Sequence, residues 1–162
     1  MRCESILQAE YQAKVRMSDG TIVAARFRCF DDSTIHFDDP CRLVLNCGDK
    51  EIQASAGDFF EALDLVRSQL EREGSYPLVN GVGLGRYPSE MARNMGSGLF
   101  VYRLQLGTRV TTADLLDTFG SSDLTEPVTV LEQRRFYEQW IRSCSNVDDN
   151  AKLSASTSVF RS

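Results

Sequence analysis

The sequence contains one histidine, which restricts the nucleophilic chemistry open to it. Any Ser–His or Cys–His pair would have to use His36, and no nucleophile motif surrounds a serine or a cysteine elsewhere in the chain. His36 stands in the segment 34–37, whose residue types favour a short strand, and we expect its side chain to face solvent. The sequence therefore predicts a protein that is not an enzyme and has no catalytic residues.

Two acidic doublets could supply paired carboxylates for acid–base catalysis or for a divalent cation. They are Asp31-Asp32 and Asp38-Asp39, on either side of His36. No ligand-bearing loop pattern surrounds them, and an aspartate before Pro40 is a common way to form a turn. We therefore expect solvated loops here and no bound metal.

The five cysteines are scattered, and none belongs to a C-x-x-C pair. A zinc site needs closely spaced ligand pairs, which this pattern does not provide. We expect reduced, mostly buried thiols in a cytoplasmic protein, since disulfides are rare in that compartment. The cysteines are Cys3, Cys29, Cys41, Cys47 and Cys144.

A glycine-rich segment, N-G-V-G-L-G-R over residues 80–86, is similar to loops whose backbone amides hold a phosphate. Its spacing is G-x-G-x-G, however, and neither a long helix nor a G-K-[ST] motif follows it. We expect a structural loop and no bound cofactor. The alternative left open is a nucleotide- or phosphate-metabolite-binding protein, or a weak enzyme, that uses Gly81, Gly83, Gly85 and Arg86.

Length and charge exclude further classes of protein. The chain has 162 residues, 42% of them hydrophobic, and a net charge of −5. These values suit one globular domain and argue against a general binder of nucleic acid or anionic membrane. Neither a signal peptide nor a transmembrane stretch is evident, so we expect a cytoplasmic location.

Charge is segregated along the sequence, with −4 over residues 31–39, +3 over residues 84–109 and −5 over residues 111–132. Acidic surfaces of this kind suit a basic protein partner.

The elements that must position these residues follow from hydrophobic periodicity. Strands of period two, followed by a helix with an apolar stripe, predict an α+β fold: an N-terminal antiparallel β-meander packed against a long central helix and a C-terminal helix. The predicted strands are 11–17, 21–30, 34–37, 42–47, 51–54 and 100–106. The predicted helices are 56–73, opened by Ser55, then 89–95, 111–119 and 129–143. Residues 1–145 should form the domain, and the polar residues 146–162 a flexible tail.

Several short motifs in the second half of the chain are shared with a known group of proteins. They are P-L-V-N-G at 77–81, R-Y-P-S-E-M at 86–91, M-G-S-G-L at 95–99, Tyr102-Arg103-Leu104, Leu106-Gly107, D-L-L-D-T-F at 114–119, and Glu132-Gln133 with Phe136 and Trp140. In these residues the chain resembles small bacterial proteins that are encoded beside Rhs-type polymorphic toxins and are regarded as their immunity partners. The likeness spans residues 56–143 and includes no catalytic or ligand motif.

The resemblance implies an immunity protein that binds one toxin domain, one to one, and occludes its active site. Four acidic residues would steer a basic toxin toward it: Asp31, Asp32, Asp38 and Asp39. Four residues are candidate anchors of the interface, because tyrosine and arginine are common hot spots: Tyr87, Met91, Arg93 and Met95. A general scaffold or regulatory adaptor is a third alternative.

Overall fold

The computed structural model describes residues 4–122 and 127–159. Within them the chain has an α+β fold with a curled antiparallel five-stranded sheet, a three-stranded sheet and three α-helices, which confirms the predicted fold class. The strands are β1 (Ile6–Arg16), β2 (Ile22–Asp31), β3 (Cys41–Cys47), β4 (Lys50–Ala56), β5 (Tyr76–Pro77), β6 (Arg86–Tyr87), β7 (Phe100–Arg103) and β8 (Leu115–Asp117). The helices are α1 (Phe59–Glu71), α2 (Glu90–Gly96) and α3 (Val130–Val159).

The first sheet has the strand order β4-β3-β2-β1-β5, so its first four strands form a meander. β1 leads into β2 through a turn in which Gly20 adopts φ 87° and the Thr21 amide donates to the Asp19 carboxylate. β3 leads into β4 through a turn in which Gly48 adopts φ 59°. Glycine reaches positive φ without steric cost, which explains its place in both turns.

One face of this sheet and one side of α1 enclose the hydrophobic core. Alternate residues of the strands are buried there, among them Val15, Phe27, Leu43 and Leu45. The helix contributes Phe59, Leu63, Val66 and Leu70, at the spacing that predicted a buried stripe. Each side chain of this size stabilises the fold by about 1.5–3 kcal/mol when fully buried.

Three cysteines belong to the same core. Cys29, Cys41 and Cys47 are buried free thiols, as expected, whereas Cys144 on α3 is partly exposed and Cys3 lies outside the described residues. Burial raises the pKa of the Cys29 thiol to about 12, and it also raises the pKa of Cys47. The core thiols are therefore protonated at neutral pH.

α1 begins at Phe59 and not at residue 56, because Asp58 is its cap. The Asp58 side chain accepts a hydrogen bond from the Glu61 amide at 2.8 Å, which satisfies one of the free amides of the first turn. Ser55, the predicted first residue of the helix region, instead belongs to β4 and pairs with Arg42 of β3. β4 therefore includes Ser55 and Ala56, at which the sequence predicted the start of the helix.

The second sheet has the order β6-β7-β8 and contains a corrected prediction. The helix expected over 111–119 does not form. Thr111 and Asp114 make a capping box, but it opens only one 3₁₀ turn, and the following residues form β8. Leu116 of β8 is paired with Val101 of β7, so strand pairing outweighs the local helix signal.

The segment 34–37 is also corrected, because it forms a turn and not a strand. The Asp32 carbonyl accepts hydrogen bonds from the amides of Ile35 and His36, both at 2.8 Å. The Asp32 amide donates to the Pro40 carbonyl at 2.7 Å. These bonds close residues 32–40 into a loop between β2 and β3.

α3 is longer than the predicted helix 129–143. Its helical backbone continues to Val159, through most of the segment that was expected to be a flexible tail, and residues 160–162 of that segment lie outside the described residues. The helix contacts α1 and β6. In the part of the chain that the structure describes, none of the helices is both long and apolar enough to cross a membrane.

Candidate functional site

The acidic loop, defined as residues 31–40, is held in place by Asp32. This side chain is buried; its carboxylate pairs with Arg42 Nε at 2.8 Å and accepts a hydrogen bond from Ser5 Oγ. Burial raises the pKa of Asp32, but the hydrogen bonds from Ser5 and Arg42 outweigh that effect and hold the pKa below its ordinary value. Asp32 therefore anchors the loop and does not present its charge to a partner.

The other acidic residues of the loop face outward. Asp38 and Asp39 are exposed, and Asp31 is half-buried. The Asp31 carboxylate accepts the Ser33 amide at 2.9 Å, and this hydrogen bonding holds the pKa of Asp31 below its ordinary value. Three of the four predicted steering residues thus place negative charge at the surface of the acidic loop.

A row of aromatic rings runs from α1 through β6 to α3. Phe60 meets Tyr87 edge-on, with ring centroids 5.0 Å apart, and Tyr87 stacks on Tyr137 at 4.0 Å. Tyr137 in turn stacks on Trp140 at 6.1 Å. Beside the row lies an open groove of about 380 Å³, here called the aromatic groove. Its apolar walls include Tyr87, Met91, Tyr102, Leu104, Tyr137 and Trp140.

α2 presents two methionines to solvent, and one of them, Met91, lines this groove. The helix is capped by Ser89 and ends at Ser97, which adopts the left-handed φ of 54°. Met91 and Met95, one helical turn apart, are both exposed, Met95 to 82%. Two of the predicted anchors, Tyr87 and Met91, therefore line the same groove, and Met95 is exposed one helical turn beyond Met91.

Arg93, the fourth predicted anchor, is tied to the fold by Asp58. Its guanidinium pairs with the Asp58 carboxylate at 3.1 Å and lies over the rings of Phe60 and Tyr87, 5.0 and 5.4 Å from their centroids. These cation–π contacts hold Tyr87 in place and fasten α2 to the start of α1. Arg93 therefore joins α2 to α1 and to β6.

Asp58 also lies next to the acidic loop, through Cys41 at the start of β3. The Cys41 thiol donates to the Gly57 carbonyl at 3.8 Å. Burial, together with the nearby carboxylates of Asp58, Asp31 and Asp32, raises the pKa of this thiol to about 11. Asp58 thus links α2, through Arg93, to the end of the first sheet at which the acidic loop joins β3.

A buried polar network supports the aromatic groove from inside. Arg67 is 0% exposed and donates to the Val128 carbonyl at 2.8 Å and to the Gln133 side chain. Gln133 is 2% exposed, and its Nε2 donates to the carbonyls of Gly81, Gly83 and Arg86 at 2.8, 3.0 and 2.7 Å. The network therefore joins α1, the glycine-rich segment and α3.

Residue type alone predicts that both network residues lie on outer helix surfaces, because arginine and glutamine are usually exposed. A signal was present in their positions. Arg67 stands four residues after the core residue Leu63, and Gln133 stands three and four residues before Phe136 and Tyr137. Each is thus a polar residue on an apolar helix face, which is the pattern of a buried, hydrogen-bonded side chain.

The amides of the glycine-rich segment are used within the fold. Gly81 N donates to the Thr118 carbonyl at 2.8 Å, and Gly83 N donates to the Asn80 carbonyl at 3.4 Å. A phosphate-binding loop instead directs such amides toward the anion. Here the carbonyls of the segment converge on Gln133, which is the arrangement of a structural loop.

Two arginines lie side by side on the second sheet. Arg86 of β6 is directly opposite Arg103 of β7. Burial, and then the charge of Arg103, lower the pKa of Arg86, and within the described residues neither guanidinium forms an ion pair. Like charges in this position destabilise a sheet, so an anion bound between them would relieve a local repulsion.

The fold and these surfaces define the molecule as an α+β domain in which an acidic loop and an aromatic, methionine-bearing surface occupy the same end. Among the described residues, no group of three or more His, Cys, Asp or Glu side chains is placed to hold a metal ion. No protein-family model matches the chain, and a search of the curated proteins finds no match to it.

Proposed function

We propose that this protein is an immunity protein, which binds a cognate bacterial toxin domain one to one and neutralises it by occluding the active site. The observation that carries the proposal is the position of Asp58: it pairs with Arg93 of α2, and it follows the end of β4 that is paired with the start of β3, where the acidic loop ends. A charged surface and an apolar surface at one end of a small domain provide the two parts of a specific interface, a polar rim and an apolar centre.

The α2 side supplies the apolar centre. Met91 and Met95 are exposed and unbranched, so they adapt to an irregular partner surface. Tyr87 is held between Arg93 and Tyr137, so little conformational entropy is lost when a partner contacts its ring. A preorganised aromatic side chain beside adaptable methionines favours tight binding.

The acidic loop supplies the steering charge. Asp31, Asp38 and Asp39 lie near the surface, and their field extends about 8 Å into solvent at physiological ionic strength. It raises the association rate of a basic toxin and repels acidic proteins. The charge acts on encounter, while apolar contacts, such as those of the α2 side, set the lifetime of the complex.

The motifs shared with the proteins encoded beside Rhs-type toxins supply several walls of this surface. R-Y-P-S-E-M covers β6 and the start of α2, and M-G-S-G-L covers the end of α2. Tyr102 and Trp140, also shared, line the aromatic groove. This distribution supports a toxin as the partner.

Binding kinetics test the proposal, with the purified toxin domain of the adjacent gene as the probe. The wild-type protein should bind it one to one and restore growth of cells that express it. Asp38→Asn with Asp39→Asn should lower the association rate several-fold at low salt and less at high salt. Asp49→Asn is the matched control, because Asp49 is exposed in the turn at the opposite end of β3.

Met95→Ser tests the α2 side by raising the dissociation rate. Ile22→Ser is its control, since Ile22 is an exposed apolar residue at the end of β2 away from the acidic loop. Absence of binding and of protection by the wild-type protein contradicts the immunity function. Equal effects of Met95→Ser and Ile22→Ser contradict the location of the interface.

Arg86 and Arg103 favour a second candidate function, the binding of a phosphate-containing metabolite. The opposed guanidiniums would hold an oxyanion, although the amides of the glycine-rich segment are engaged elsewhere. Inorganic phosphate and ATP should then raise the melting temperature, and Arg103→Gln should abolish the shift. No shift with either probe excludes this candidate.

A further inference from the structure

Phe37 is the most exposed large apolar side chain among the described residues, at 91%. It lies in the outer part of the acidic loop between His36 and Asp38. Single exposed apolar residues are common on protein surfaces. Phe37 differs from such cases because the loop that carries it is fixed to the sheet and because a second apolar residue, Ile35, is exposed beside it.

The loop is fixed at its base by the side chain and the backbone of Asp32. The side chain is buried against Arg42 and Ser5, and the backbone carbonyl accepts the amides of Ile35 and His36. Among the described residues, no hydrogen bond or ion pair joins Asp32, Arg42 or Ser5 to Phe37. The effect of the buried pairing is to fix the base of the loop, so that the backbone segment that carries Phe37 has less freedom to lose when a partner binds.

The surroundings of Phe37 indicate the chemistry of the partner. An open groove of about 500 Å³ lies at its side, lined by Ile35, His36, Asp38, Asp39 and Ser55 as well as by Phe37 itself. Asp38 and Asp39 place two exposed carboxylates next to the ring. A complementary surface has an apolar pocket for the ring and basic side chains around that pocket.

We propose that Phe37 is an insertion residue, whose ring enters an apolar pocket rimmed by lysine or arginine in the partner protein. This inference rests on the proposed function and deepens it, since the pocket belongs to the basic cleft of the toxin. The carboxylates of Asp38 and Asp39 pair with the rim, and the ring fills the pocket. The acidic loop therefore steers the encounter and also occupies the cleft.

Phe37→Ala tests the insertion against the same purified toxin domain. The dissociation rate should rise at least tenfold while the association rate changes less than about twofold, because the ring acts after encounter. The melting temperature should stay unchanged, since the side chain is exposed in the free protein. Ile22→Ala, at the other end of β2, should leave both rates unchanged.

Phe37→Trp gives a direct reading of insertion. Its emission should shift to the blue when the toxin domain binds, and the wild-type complex corrects for Trp140 and for the tryptophans of the toxin. An unchanged dissociation rate in Phe37→Ala, or an unshifted emission in Phe37→Trp, overturns the insertion role while wild-type binding upholds the immunity function. Wild-type protein that does not bind overturns both. A self-association in sedimentation that Phe37→Ala abolishes assigns the ring to a second copy of this chain and also overturns the proposal.

Discussion

Replacement of Gln133 by alanine should destabilise the protein strongly, although the residue lies on a helix and alanine is a better helix former. Gln133 donates to the carbonyls of Gly81, Gly83 and Arg86 and accepts from Arg67. Alanine leaves these groups without that partner in a site that is 2% exposed to water. The loss therefore includes the cost of buried polar groups that water cannot reach.

The magnitude of this loss of stability follows from the hydrogen bonds of Gln133 that alanine cannot form. The two Nε2 hydrogens supply about 1 kcal/mol each, and the charged bond from Arg67 supplies about 1.5–3 kcal/mol. Arg67 keeps the Val128 carbonyl at 2.8 Å, and Gly83 O keeps the Arg86 amide at 3.2 Å, which moderates the loss. We expect the free energy of unfolding to fall by about 4 kcal/mol, a large part of the 5–15 kcal/mol typical of a domain.

Urea denaturation measures this change. With a slope near 2 kcal/mol per molar, typical of small proteins, the midpoint should fall by about 2 M and the slope should stay the same. Gln139→Ala is the matched control, because Gln139 is an exposed glutamine on the same helix, and its effect should stay within about 0.5 kcal/mol. A loss below about 1 kcal/mol for Gln133→Ala would show that the network does not hold the glycine-rich segment in place.

Three further predictions follow from the same structure. Asp58→Ala removes the cap of α1 and the partner of Arg93, so unfolding free energy should fall by about 2 kcal/mol in urea, whereas exposed Asp38→Ala should change little. Burial raises the pKa of Asp64 to about 6, so its ionisation between about pH 4 and pH 6 lowers the stability of the folded protein. The stability of Asp64→Asn relative to the wild type should therefore rise over that pH range. An NMR titration of Asp64 with a midpoint near pH 4 would contradict a pKa raised by burial. Truncation after Ser145 should leave the melting temperature unchanged, and a fall of several degrees would show that the end of α3 stabilises the domain.

The sequence predicts well the elements whose signal is periodic and local. The alternation of apolar residues in β1 and β2, and the Asp-Gly turn between them, required no knowledge of the rest of the molecule. The apolar stripe of α1 predicted its buried face for the same reason. In each case, one face of one strand or helix packs against the core, so the hydrophobic pattern within that element is sufficient to predict it.

The errors occur where distant residues decide the structure. Thr111 and Asp114 form a capping box at the start of the predicted helix, yet pairing with β7 converts the next residues into β8. The segment 34–37 turns around Asp32, whose carbonyl accepts two of its amides and whose side chain is held by the distant residues Ser5 and Arg42. The burial of Gln133 depends on carbonyls about fifty residues earlier in the chain. Such contacts leave little trace in a local window, since the partner groups belong to the backbone, which every residue possesses.

The candidate site was predicted in its parts but not in its arrangement. Tyr87 and Met91 do line one groove, because α2 follows β6 directly. Their position relative to the acidic loop depends on Asp58 and Cys41, neither of which was expected to belong to the site. Asp32 was grouped with the surface acids because its type gives no sign of burial; only the arginine at position 42, opposite the end of β2, accounts for it.

The reactivity of the three protonated core thiols can be used to measure local opening of the first sheet. Alkylating reagents react with thiolates, so Cys29, Cys41 and Cys47 are protected while the sheet is closed, and the partly exposed Cys144 reacts before these three. Cys41 and Cys47 stand at opposite ends of β3. The rate at which each is modified under native conditions therefore measures how often its own end of the sheet separates. A partner seated on the acidic loop would slow the modification of Cys41 and leave that of Cys47 unaltered, which locates the contact without any substitution in the protein.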